Sequence, residues 1–141
     1  MKKKAFIFDL DGTLFETTAQ EIETATGHAR YIEFNDAEML LKESKPLSLA
    51  WLARAVQAEN HDVYILTARN SIIYPVIREL CERYGINPKY IFTVGDRGFD
   101  IPSYKAEILS QLAMQYQSTY FFDDDEANLE MAPTNIRTIK A

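Results

Sequence analysis

Two aspartates stand two positions apart in the run Asp9-Leu10-Asp11-Gly12-Thr13, directly after an apolar stretch at residues 5–9 (AFIFD). Paired carboxylates suit acid–base chemistry and the binding of hard cations. The glycine behind them permits a sharp turn. Alone, the pattern reads equally well as a turn or a helix cap. Three further features come after it in order. Thr67 closes a second apolar run, residues 63–67, within Ile65-Leu66-Thr67-Ala68-Arg69; Lys105 opens a helical stretch at 105–116; Asp123-Asp124 closes another apolar run, residues 119–123. Hydroxyl, ammonium and carboxylates thus fall where apolar segments end.

Those segments must form a scaffold that gathers their ends. Residues 5–9, 63–67, 91–94, 119–123 and 136–139 are short, apolar and rich in aromatic or β-branched residues. Each is nearly continuous rather than alternating, which predicts strands buried on both faces of a parallel sheet. Helical periodicity lies between them. Leu49, Leu52 and Val56 follow Pro46, read here as part of a first turn. Ile73, Ile77, Leu80 and Tyr84 form a second stripe, stopped by Gly85. Ile108, Leu112 and Tyr116 form a third, and residues 125–131 a short fourth helix ahead of Pro133. Trp51 and most Tyr and Phe residues read as core. Residues 14–45 hold two weaker helical patterns, near 18–29 and 36–44. Strand–helix alternation predicts an α/β, Rossmann-like parallel sheet of about five strands with helices on both faces. Active sites in such folds lie outside the carboxyl ends of the strands.

Bulk properties narrow the class. The 141 residues suit a single domain, 1–141, and 47% apolar content excludes disorder as the default. A net charge of −6 argues against binding long duplexes through phosphate neutralisation. The lone Cys81 fits a reducing compartment, and no run approaches a membrane span. Asp9 and Asp11 interrupt the apolar stretch after the basic start, so no signal peptide is read and a cytoplasmic location is expected. His28 and His61 lack zinc-ligand spacing, and Cys81 sits on a helical apolar stripe; all three residues read as structural.

Together the four features resemble the haloacid dehalogenase (HAD) superfamily of phosphohydrolases. Its motifs are D-x-D-x-T, a strand-ending Thr or Ser, a Lys or Arg, and a strand-ending acidic pair. The run from Asp123-Asp124 to Asn128-Leu129-Glu130-Met131-Ala132 is close to a common form of the last. The resemblance implies an enzyme, a Mg²⁺-dependent phosphomonoester hydrolase. Asp9 would be the nucleophile, forming an aspartyl-phosphate, and Asp11 the general acid and then base. Mg²⁺ would be held by Asp9, the Asp11 carbonyl and Asp123, with Asp124 near it. Thr67 and Lys105 would bind the transferring phosphoryl group. Gly12, Thr13 and Ala68 would line the phosphate site. Arg69 would contact substrate or form a surface salt bridge, and Arg97 would contact substrate or be a solvated loop residue.

A second acidic pattern, Gly95-Asp96-Arg97-Gly98-Phe99-Asp100, resembles another form of the last motif, with Lys89 as its lysine. It leaves Lys105 without a role, so Asp123 and Asp124 are preferred and residues 95–102 are read as a rim loop. Tyr31, Phe34 and Tyr104 are further candidates for lining the cleft. Residues 14–45 have room for a flap or small cover and none for a large cap, which implies an open cleft. The layout is similar to the phosphatase half of phage polynucleotide kinase-phosphatases, without the kinase phosphate loop. Expected partners are a phosphorylated small molecule or a nucleic-acid 3′-phosphate end, and no membrane. A phosphotransferase and a non-catalytic metal- or phosphate-binding module stay open.

Overall fold

The computed structural model describes residues 3–17 and 36–141. Its elements in order are β1 (Lys4–Phe8), β2 (Phe15–Glu16), α1 (Ala37–Glu43), β3 (Lys45–Pro46), α2 (Ser48–Ala58), β4 (Asp62–Thr67), α3 (Tyr74–Arg83), β5 (Tyr90–Thr93), α4 (Ile101–Ala113), β6 (Ser118–Asp123), α5 (Glu126–Met131) and β7 (Arg137–Lys140). Short 3₁₀ turns at Ser71–Ile73 and Gly95–Arg97 precede α3 and α4.

Five strands form one sheet in the order β5-β4-β1-β6-β7, and every pairing is parallel. The continuous apolar runs are explained by burial on both sides. Phe8, Val63, Ile65, Ile91 and Phe122 face α1, α2 and α3, joining Leu40, Ala53, Ile77 and Leu80. Their neighbours Ala5, Ile7, Tyr64, Leu66 and Phe121 face the other way, joining Leu109 and Leu112 of α4. Cys81 is fully buried in the first layer, and burial pushes its thiol up to about 12.

The chain order sets the site. From β1 the connections run outward to β4 and β5, then jump back over β1 to β6 and β7. The order therefore reverses at β1, and a crevice opens at its carboxyl end, flanked by the ends of β4 and β6.

Several expectations need adjusting. α4 begins at Ile101 rather than Lys105, with Pro102 in its first turn, where a missing N–H costs nothing. The rim segment is correspondingly shorter than residues 95–102, and Tyr116 lies beyond the helix. Pro46 belongs to β3, not to the first turn of α2: Phe15 pairs with Pro46 and Glu16 with Lys45, antiparallel. Trp51 is 50% exposed on the outer side of α2, where the Arg54 guanidinium lies 5.3 Å from its ring centre; helical position, not residue type, decides its burial. α1 matches the stretch read at 36–44, with Asp36 accepting from the Met39 amide as its cap. His28, Tyr31, Phe34 and the helix read at 18–29 lie outside the described residues.

Candidate active site

Asp9 follows β1 directly, and its amide donates to the Phe122 carbonyl at 2.9 Å, so the sheet pattern holds it in place. Behind it the chain folds tightly. The amides of Thr13, Leu14 and Phe15 converge on the Leu10 carbonyl, and Gly12 adopts a φ of 74° that other residues resist. Thr13 is 1% exposed, and its hydroxyl has no hydrogen-bond partner among the described residues.

Lys105, one turn inside α4, reaches across the end of the sheet. Its ammonium donates to Asp9 Oδ1 at 3.1 Å and to Asp123 Oδ2 at 2.8 Å, and the side chain is 1% exposed. The position of α4 over the sheet makes this reach possible. Asp123 ends β6 and is wholly buried. It accepts from Lys105 and Asn128 Nδ2 on one oxygen and from the Asp125 amide on the other, at 2.8, 3.0 and 2.9 Å. Asn128 lies within the last motif, whose spacing alone assigns it no role. Its signal in the sequence is its place one turn after the Asp125 cap, which turns it back toward Asp123.

Oxygens of Asp9, Asp123 and Asp124 all lie within 4.8 Å of one another. Burial, together with the charges of Asp123, Asp11 and Asp124, holds the Asp9 carboxyl well above the usual range against the pull of Lys105. Burial also raises Asp124. Burial alone would lower Lys105, but the Asp9 and Asp123 carboxylates override it and raise it. With all three carboxyls ionised, one ammonium would leave two negative charges uncompensated, which is why burial and mutual repulsion raise Asp9 and Asp124. That deficit and the all-oxygen donor set fit a hard divalent cation such as Mg²⁺.

On the other flank, Thr67 ends β4 and is fully buried, and its hydroxyl oxygen accepts from the Arg69 amide at 3.2 Å. Arg69 then turns inward. Its Nε lies 3.0 and 3.2 Å from the two Asp11 oxygens and its Nη2 lies 2.6 Å from Oδ1. The guanidinium is 3% exposed, so this is a buried clamp rather than a surface salt bridge. Thr17 Oγ1 donates to the same Asp11 oxygen at 2.7 Å. The clamp fixes Asp11 at the mouth of the crevice, a pairing that sequence spacing does not reveal.

The turn carrying Thr67, Ala68 and Arg69 rests on Gly95. A Cβ there would lie 2.3 Å from the Ala68 carbonyl oxygen and 2.9 Å from the Arg69 carbonyl carbon, so only glycine lets the two backbones meet. The Asp96 carboxylate accepts from the Ser71 amide. Asp96 therefore caps the next turn, and it stands apart from the cluster of Asp9, Asp123 and Asp124. Asp100 is exposed and precedes α4. Lys89 pairs at 3.3 Å with Asp62, at the amino end of β4 and thus the opposite end of the sheet. Arg97 pairs with Glu107 at 3.1 Å, with its guanidinium 5.5 Å from the Tyr104 ring centre.

Solved structures share this architecture. A chain of the Pnkp1/Rnl/Hen1 RNA repair complex matches with a TM-score of 0.67 at 15% identity, over 99% of this chain and 42% of that one. A class C acid phosphatase from Bacillus anthracis, with tungstate bound, matches with a TM-score of 0.65 at 19% identity, over 91% of this chain and 54% of that one. The chain has the haloacid dehalogenase-like fold. A hydrolase from Streptococcus pneumoniae TIGR4 has nearly the same extent, with a TM-score of 0.63 at 15% identity over 99% and 92% of the two chains. The chain spans under half the length of the RNA repair complex chains. No family model matches the sequence, and no curated protein does. Within the HAD-like fold, the ends of the three central strands carry Asp9, Thr67 and Asp123. No helix among the described residues is long and apolar enough to cross a membrane.

Proposed function

We propose that the protein is a phosphomonoester hydrolase working through Asp9. The observation that carries this reading is the meeting of the buried Asp9, Lys105 and Asp123 with the half-buried Asp124 at the reversal point of the sheet. A structural ion pair needs no such excess of carboxylate.

Asp9, Asp123, Asp124 and the Asp11 carbonyl would hold Mg²⁺, which when bound neutralises the phosphate and the carboxylates around it. An Asp9 oxygen attacks phosphorus, and the bond to the leaving oxygen breaks. Asp11 gives that oxygen its proton. The clamp by Arg69 and Thr17 aims the Asp11 carboxyl toward the crevice. Lys105 and the Thr67 hydroxyl stabilise the phosphoryl oxygens as charge builds on them. Asp11, now ionised, takes a proton from water, whose oxygen attacks the phosphorus of the Asp9 aspartyl-phosphate. Inorganic phosphate leaves and the Asp9 carboxylate is restored.

The substrate class we propose is a nucleic-acid 3′-phosphate end or a nucleotide. Two features support it. The chain between β2 and β3 is too short for a large cap. The similar fold in an RNA repair complex points the same way. Arg97 would face the chain beyond the substrate phosphate, while Arg69 acts through its clamp on Asp11.

The test is phosphate release from a 3′-phosphorylated oligonucleotide and from a small aryl phosphate, with Mg²⁺ or with a chelator. Both substrates are expected to turn over only with metal, and Asp9→Asn is expected to abolish both. Release that survives Asp9→Asn would overturn the assignment.

A further inference from the structure

The outer edge of β5 carries a groove of about 650 Å³ that the proposed chemistry does not use. Among the described residues β5 pairs with β4 on one side only and ends the sheet. Residues two apart on a strand share a face, so Tyr90 and Phe92 lie side by side along the groove, ring centres 4.7 Å apart. Tyr74, from the first turn of α3, adds a third ring 6.1 Å from Tyr90. Tyr90 is 50% exposed. The Arg78 guanidinium lies 5.5 Å from the Tyr74 ring centre and donates to its hydroxyl at 3.0 Å. Arg97 lines the other end.

That end is built onto the candidate active site. Val94 donates its amide to the Thr67 carbonyl at 3.0 Å, and Gly95 donates to the Arg69 carbonyl at 3.2 Å. The groove therefore begins at the turn that holds Thr67 and Arg69. Two strand spacings, about 10 Å, separate β5 from the line of β1 and Asp9.

We propose that this edge is a track for single-stranded nucleic acid whose 3′-phosphate end lies at Asp9. The inference rests on the phosphatase reading and extends it to the nucleotides behind the scissile phosphate. The exposed Tyr90 ring, backed by the half-buried Phe92 and Tyr74, can stack on a base face whatever the sequence, and the Arg97 guanidinium can donate to a phosphate. Arg97 lines the head of the groove next to Asp96, whose carboxylate is held by the Ser71 amide, and Arg78 backs the Tyr74 ring from outside the groove. A protein with a net charge of −6 would need such a local arrangement to hold a strand.

The test has two readouts. In the first, kcat and KM are measured on 3′-phosphorylated substrates of one, two, four and six nucleotides. KM is expected to fall about tenfold as the chain lengthens to four, a stacking-sized gain. Tyr90→Ala is expected to remove that gain while leaving kcat/KM for the mononucleotide and an aryl phosphate unchanged, and Tyr90→Trp is expected to keep it. In the second, anisotropy of a 5′-labelled hexanucleotide bearing a 3′-phosphate reports binding without turnover. A length-independent KM in the native protein, or a Tyr90→Ala variant that binds and cleaves like it, would overturn the track. So would a concentration-dependent dimer that Tyr90→Ala dissolves, which would assign the edge to a second copy of this chain. If no phosphate is released from any substrate, the phosphatase reading fails. Anisotropy then decides the track alone: Tyr90-dependent binding supports it and its absence overturns it.

Discussion

Replacing Lys105 by methionine tests the physics of the site most directly. The ammonium is 1% exposed and bridges Asp9 and Asp123 at 3.1 and 2.8 Å. Its removal leaves carboxylates facing one another in a buried pocket. Breaking a buried pair by deleting one partner costs about 3–5 kcal/mol, because the remaining charge is uncompensated. For a chain of this length, a loss of about 4 kcal/mol corresponds to a fall of about 10–15 °C in Tm. Urea unfolding at pH 7.5 in chelator, followed by circular dichroism, measures the loss. Adding Asp9→Asn to Lys105→Met removes one of the stranded charges and is expected to recover about half of it. Phosphatase activity of Lys105→Met is expected to fall at least about 100-fold, the usual scale for removing a charge-stabilising group. A Lys105→Met protein within about 1 kcal/mol of the native stability would refute the reasoning, as would a double variant less stable than the single one.

Asp11→Asn should slow alkyl phosphates far more than aryl phosphates with good leaving groups, because only the former need a proton donor; equal losses across a leaving-group series would count against that role. Gly95→Ala should displace the Thr67–Arg69 turn, lowering both stability and activity, whereas a native-like Tm and rate would show that the backbone contact at 2.3 Å yields freely. Although burial opposes it, Tyr116, Lys89 and Lys3 lower the Asp62 carboxyl below its ordinary value of 3.8. A lowered native pKa stabilises the fold above 3.8, and the stabilisation is lost as pH falls through the native value. The stability gap between the native protein and Asp62→Asn should therefore be full at about pH 6 and close on acidification, and a gap that widens in acid would contradict the pairing. Cys81, buried and pushed up to about 12, should react with a thiol reagent only at the rate of unfolding; fast labelling of the native protein would place it at the surface.

The parallel sheet was legible because burial on both faces leaves continuous apolar runs, and residues 63–67 and 119–123 end where β4 and β6 end. The gathering of Asp9, Thr67 and Asp123 was legible because strand ends in such a sheet converge by topology alone, whereas Lys105 reaches them from within α4. The start of α4 was not, since Ile101-Pro102 resembles a loop until the first-turn role of proline is seen in place. Nor was the Arg69 clamp on Asp11: an arginine two residues past a strand can swing outward or inward. The close approach of Gly95 decides that here by fixing the turn it belongs to. Trp51 misled because a large ring suggests a core position, while the stripe of Ala50, Ala53 and Val56 takes the inner face of α2.

The pairing of β2 with β3 has a consequence for how such a protein can change. Phe15 opposite Pro46 and Glu16 opposite Lys45 hold the chain ends on either side of residues 17–44 at one strand spacing. Whatever is inserted between them starts and finishes at a closed stem and leaves the register of the five-stranded sheet untouched. Doubling the length of a flexible insert costs only about 0.6 kcal/mol in closure entropy. Substrate range can therefore diversify by exchange of residues 18–35, while Thr17 keeps its bond to Asp11, α1 keeps Leu40 in the core, and Asp9, Thr67, Lys105 and Asp123 keep their places.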